Sequence, residues 1–140
     1  MKRLRTTLVL ASILSLVLVS TSLSFANNSV AADGEGIVGA WEWVRSVGGI
    51  AGIEETPKST GQSRSVVFDE YGNVTFCRNG TVSNSSSYTL GIALTIFSVD
   101  PMPVVYLNGQ LTFAYSIEGN TLILNDNHVD GFRSEYSKLL

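Results

Sequence analysis

The chain predicts an all-β protein: an eight-stranded antiparallel up-and-down β-barrel preceded by a signal peptide. Three observations carry that expectation. Apolar residues alternate with period two along most of the chain after residue 36. Turn signals built on Gly beside Asn, Glu or Tyr separate the alternating runs. Helical spacing is missing, since no eleven-residue window keeps apolar residues at i, i+3, i+4 and i+7 without a Gly or a β-branched cluster interrupting it. Consecutive strands on short turns form a meander, which either closes into a barrel or folds as a sandwich; closure removes the sheet edges that no helix is available to cover.

The first element is not part of that fold. "MKRLRTTLVLASILSLVLVSTSLSFA" opens on Lys2, Arg3 and Arg5, runs apolar from Leu8 to Val19, and ends on the small residues of a peptidase site at Ser24-Phe25-Ala26. This is the design of a secretory signal over 1–26, with Asn27 as the new N-terminus and a second cleavage position after Ala32. The apolar run is shorter than the roughly 20 residues of a membrane-spanning helix. Membrane contact is therefore expected only through the signal before cleavage. The protein is expected to be exported, to a periplasm, a cell surface or the medium. No cysteine sits at the cleavage point, which argues against lipid attachment there.

"NNSVAADGEG" (27–36) reads as a flexible linker, and 37–140 as a single domain. Strands are expected at 38–47, 63–69, 73–78, 82–90, 92–99, 104–107, 110–117 and 121–126, with a last one at 132–138. Pro101 and Pro103 weaken 104–107, because Pro suits edges and bends. The turns are "EYGN" (70–73), "RNGT" (78–81), "LNGQ" (107–110) and "IEGN" (117–120). Two of these hold Asn-Gly, where both residues accept the positive φ of a tight hairpin. One connection is long: "GGIAGIEETPKSTGQ" (48–62), a length that usually marks a functional or a mobile segment.

Removal of 26 residues from 140 leaves 114, enough for one domain. Six basic residues then face twelve acidic ones, a net charge of −6 that argues against nucleic acid or an anionic membrane as partner. Cys77 is the only cysteine, so the fold has no internal disulfide and rests on its core; in "NVTFCRN" it reads as a small apolar filler.

Catalytic and metal chemistry find little support. His128 is the only histidine, and Asp126, His128 and Asp130 alternate on a tight turn, where Asx side chains bond their own backbone. Three ligands there make a poor cage, and no cofactor or metal is expected. The serines of "SNSSSY" (83–88) occupy no nucleophile elbow and read as the solvent face of a strand. Glu54-Glu55 and Asp69-Glu70 read as ordinary solvated acids. Enzymatic activity is not expected.

Gly39-Ala40-Trp41, a Gly-x-Trp at the head of the first strand, resembles the lipocalin signature. Thr56-Pro57, Ser59-Thr60-Gly61, the Gly-x-Thr-Leu strand at 119–122 and Asp130-Gly131-Phe132 extend the likeness, and over nearly all of 37–138 the chain resembles the bacterial lipocalin-like domains of small exported proteins. The resemblance implies that Gly39 and Trp41 plug the closed end. It also implies a basic side chain from the last strand over the Trp41 indole, Lys138 or Arg133, with Lys138 favoured by spacing. The loop 48–62 would hang over the open end as a lid. Lipocalins that carry hydrophobic ligands are usually longer, with a helix after the barrel and often a disulfide, and this chain departs from that pattern.

The functional expectation is a small hydrophobic or amphipathic ligand held in the barrel. Its candidate lining is one face of the meander: Trp43, Val66, Phe68, Val74, Phe76, Phe113, Tyr115 and Leu122. The alternative is a filled barrel that acts as a protein-interaction or inhibitor module through the loop 48–62 and "VDPMP" (99–103).

Overall fold

The computed structural model describes residues 34–140; the expected signal peptide (1–26) and most of the expected linker (27–36) lie outside the described residues. After the single-turn helix α1 (Gly34–Ile37) come β1 (Gly39–Gly48), β2 (Ile53–Glu55), the single-turn helix α2 (Pro57–Thr60) and β3 (Arg64–Phe68). The chain continues through β4 (Asn73–Arg78), β5 (Thr81–Thr95), β6 (Ser98–Leu107), β7 (Gln110–Glu118), β8 (Thr121–Asp126) and β9 (Phe132–Lys138). Every pairing is antiparallel. From β3 to β9 each strand lies beside its sequence neighbour, and β1 pairs with both β3 and β9, so eight strands close into a barrel. β2 prolongs the β3 position, pairing with the last residues of β1 from Ser46 to Gly48.

The turns form where the sequence predicts them. Asn79 and Gly80 have φ of 52° and 76°, and Asn108 and Gly109 have 48° and 79°, both residues of each pair lying in the left-handed region that a two-residue hairpin with right-handed strand twist demands.

Two expectations need correction. The strands expected at 82–90 and 92–99 are one fifteen-residue strand, β5, and the partner β6 begins at Ser98 and runs through both prolines. It tolerates them because β6 pairs with β7 only from Val104 onward, so Pro101 and Pro103 lie on a free edge where no donor is missed. Pro103 stands opposite Ile92, and Pro101 falls in the register irregularity beyond Ala93↔Met102. The second correction is α2 inside the long loop. It needs no apolar periodicity because its ends are capped: the Thr56 side chain accepts from the Ser59 N–H, the Ser59 hydroxyl accepts from the Thr56 N–H, Pro57 leads the helix, and Gly61 closes it at φ 67°.

The inward faces form one cluster that includes Trp41, Trp43, Val66, Phe68, Val74, Tyr115 and Leu122, with Phe76 and Phe113 packed on it in part-buried positions. β5 from Ile92 onward and β6 before Val104 pair only with each other. They form a two-stranded arm whose tip is tied back where the Ile96 N–H donates to Asn127 Oδ1 (3.2 Å). The arm carries exposed Leu94, Ile96, Phe97 and Val99, the last 93% exposed.

Candidate functional site

The inward faces meet in a packed interior of buried side chains that runs from Gly39 at one end to Arg64 at the other. At the floor, Gly39 adopts φ 135°, a backbone state that L side chains rarely take, and a Cβ there would stand 3.4 Å from Lys138 Cε. This turn delivers Trp41 to the interior with 0% exposure. Its Nε1–H donates to the Ile37 carbonyl (2.8 Å), and Lys138 Nζ lies 5.2 Å from the ring centroid. Register places Lys138 directly opposite Trp41, which fixes the choice between Lys138 and Arg133: Arg133 faces outward and bonds Glu135. A cation over an indole face is attracted by the ring quadrupole, by about 1 kcal/mol where partly desolvated.

Two aromatic pairs fill the interior, with Phe68 opposite Gly39 and Phe76 opposite Val66 in the register. Phe68 and Tyr88 meet edge to face, with centroids 5.0 Å apart and planes at 86°. The Tyr88 hydroxyl donates to the Asp69 carbonyl (2.7 Å), and burial raises its pKa, with Asp69 adding to the effect. Phe76 and Phe113 approach at 6.3 Å with tilted planes.

The Arg64 end is polar, and the sequence reading missed most of it. Trp43 is not left open: the Arg64 guanidinium covers its ring, with Cζ 4.1 Å from the centroid. The Trp43 Nε1–H donates to Ser46 Oγ (2.8 Å), which in turn hydrogen-bonds Ser134 Oγ (2.7 Å). Ser46 faces inward because Val44 is an extra residue in β1, between the pairs Trp43↔Tyr136 and Arg45↔Glu135, and this bulge resets the alternation. Arg64 Nη2 donates to Glu55 Oε2 (2.9 Å), so the long loop lays a carboxylate on the guanidinium at the mouth. Arg64 Nε and Gln62 Oε1 are buried and find no hydrogen-bond partner. Beside Arg64, burial pushes the Tyr136 hydroxyl up to about 12, against a smaller lowering by the guanidinium. Arg78 stands directly opposite Arg64 across β3 and β4, on the same face as Phe76 and Val74.

Arg64 was legible in principle, since the alternation that turns Val66 and Phe68 inward also turns Arg64 inward. Ser46 was not, because the bulge is invisible to pattern reading. Glu54 and Glu55 are ion-paired rather than merely solvated, Glu54 to Arg45 at 3.7 Å.

Elsewhere, Asp126 Oδ2 accepts from the Phe132 N–H (3.0 Å) and His128 Nδ1 contacts the Val129 carbonyl (3.0 Å), both serving the β8–β9 connection. Cys77 is half-buried and helps line a groove of about 200 Å³ with Glu42, Ser63, Arg64, Ser65, Gly80 and Leu139. Among the described residues, no helix is long and apolar enough to cross a membrane.

Fold and site together define a closed antiparallel β-barrel with a packed aromatic interior and a cation over each of the indoles Trp41 and Trp43. No protein-family model, curated protein or solved structure matches this chain.

Proposed function

We propose that this protein is an exported, lipocalin-like barrel that binds a small hydrophobic or amphipathic molecule in its interior and performs no chemistry on it. The observation that carries the reading is the change of character along the interior, from the aromatic pairs Phe68–Tyr88 and Phe76–Phe113 to the polar group of Arg64, Ser46, Ser134 and Tyr136. Apolar walls with a few fixed polar groups at one end suit a molecule with an apolar body and one polar head. The capped loop over the mouth fits a lid.

The test is incubation of the purified mature protein with a bacterial lipid extract, followed by native mass spectrometry. A bound species of defined mass, lost when Phe113→Glu places a charge in the wall of a still-folded barrel, supports carriage. A protein that stays empty, or binding indifferent to Phe113→Glu, refutes it.

One observation favours a second reading, a protein-interaction module. The arm 92–103 contains the "VDPMP" segment and exposes Leu94, Ile96, Phe97 and Val99 together, an apolar patch of the kind that marks contact surfaces. Leu94→Ser with Phe97→Ser would then abolish partner capture without altering the fold, whereas deletion of 50–60 tests the loop separately.

A further inference from the structure

We propose that the mouth of the barrel is an anion site, in which Arg64 and Arg78 together grip the single negative head group of an amphipathic ligand; this rests on the barrel-binding reading above. The cross-strand register is the first argument. Arg64 and Arg78 are direct partners on one face of β3 and β4, where opposed side chains start roughly 5 Å apart and like charges repel. Such a pair is stabilised by an anion lying between its members.

The available carboxylates do not complete it. Arg45, Arg64 and Arg133 all have carboxylate partners, but Arg78 makes no ion pair among the described residues. Glu55 engages only one terminal nitrogen of Arg64. Arg78 thus brings a guanidinium without a carboxylate of its own beside Arg64.

Arg64 is also pre-oriented with an unmet donor. Trp43 holds the guanidinium plane at 4.1 Å and Glu55 holds Nη2, while Nε is buried with no acceptor. Buried donors are nearly always satisfied, and one that is not asks for an acceptor. A planar fork fixed in advance loses little entropy on binding a carboxylate or sulfonate oxygen. The ligand's apolar body would run down past Phe76, which neighbours Arg78 on the same strand face, toward Phe113.

Two fluorescent probes with one ring system separate charge from apolar binding: 1-anilinonaphthalene-8-sulfonate and its uncharged parent, N-phenyl-1-naphthylamine. Titrated into the mature protein, the sulfonate is expected to bind about ten-fold tighter than the parent, the scale of one charge-assisted hydrogen bond. Added salt should weaken the sulfonate and leave the parent unmoved. Arg78→Gln, at an exposed position where folding is not at risk, and Arg64→Gln should each remove most of the ten-fold advantage. Glu55→Gln should tighten the sulfonate, by freeing Arg64 Nη2. Parent binding with no advantage for the sulfonate overturns the anion site and spares the barrel reading, as does an advantage that survives both arginine variants. Failure of both probes to bind overturns the barrel reading itself, and the anion site with it.

Discussion

The two tryptophans support a paired experiment, because one substitution at two neighbouring positions should carry different costs. Trp41 and Trp43 are both buried, at 0% and 2% exposure, and Phe at either site removes the same atoms. The shared loss, transfer plus residual cavity, is about 1 kcal/mol. The difference lies in what each indole N–H leaves behind. Trp41 Nε1 donates to the Ile37 carbonyl (2.8 Å), and Ile37 is itself 0% exposed. Trp41→Phe therefore strands a buried acceptor, which adds about 2 kcal/mol. Trp43 Nε1 donates to Ser46 Oγ, but that hydroxyl keeps Ser134 Oγ at 2.7 Å. Only the net worth of one hydrogen bond is lost there, about 0.5–1 kcal/mol.

Trp41→Phe should thus cost about 3 kcal/mol and Trp43→Phe about 1.5–2 kcal/mol. Urea unfolding followed by far-ultraviolet circular dichroism measures both. With slopes of about 1–2 kcal/mol per molar for a domain of this size, the midpoint of Trp41→Phe should fall about 1 M below that of Trp43→Phe. Equal midpoints, or a lower one for Trp43→Phe, would refute the view that the floor tryptophan owes its weight to the carbonyl it satisfies.

Other expectations follow from charge and close packing. Glu135 is drawn from its ordinary 4.5 to about 2, first by the hydrogen bond from Arg45 and then by Arg133. A lowered carboxylate contributes above its unfolded value and loses that contribution as pH falls from 4.5 toward about 2. Glu135→Gln should cost about 1 kcal/mol at pH 7, modest because the Arg45 guanidinium is largely in water, and should flatten the acid limb of urea midpoints taken from pH 7 to 3. Burial places the Tyr136 hydroxyl near 12, so the neutral phenol stabilises the fold below pH 10, and that contribution is lost as pH rises from 10 to about 12. Ultraviolet difference titration should show a late phenol that Tyr136→Phe removes; simultaneous ionisation of all the tyrosines near 10 would contradict the burial. A Cβ on Gly48 would lie 2.4 Å from the Gly131 carbonyl oxygen and 2.7 Å from Phe132 Cα, backbone atoms just before and at the start of the paired strand β9. Gly48→Ala should therefore lower stability by more than about 2 kcal/mol, read as a fall in melting temperature, and a change under 0.5 kcal/mol would mean that β1 and β9 separate easily there.

What was legible in the sequence depended on how local the cause was. Asn79-Gly80 and Asn108-Gly109 specify their turns through their own φ preferences, so pattern reading finds them. The alternation along β3, β4 and β7 assigns Val66, Phe68, Val74, Phe76, Phe113 and Tyr115 to one face, and all lie in the interior cluster or pack on it. The extent of β5 and β6 was hidden because Pro101 and Pro103 look like breakers until the absence of a β7 neighbour is known. Ser46 was hidden by the extra residue at Val44, a non-local consequence of how β1 meets β9. The mouth was half legible: parity turns Arg64 and Arg78 inward, but that Glu55 crosses from the loop to Arg64 follows only from the capped turn of α2 and the pairing of β2.

For the ligand proposed above, the placement of the basic residues sets a further expectation. Six lie beyond residue 26. Two on the outer face, Arg45 and Arg133, both serve Glu135. Three others, Arg64, Arg78 and Lys138, hold strand positions that turn toward the interior, two of them over the indoles at its ends. Moving a cation away from water is costly unless something replaces the lost hydration, and an indole face does so without contributing a formal negative charge. The axis of an otherwise acidic protein is therefore positive at both ends. A cationic amphiphile would meet repulsion at the mouth and again at the floor, whereas a neutral one meets neither and an anionic one is drawn in. A quaternary ammonium analogue of the naphthylamine probe should accordingly bind more weakly than the uncharged parent, and Arg78→Glu should narrow that gap.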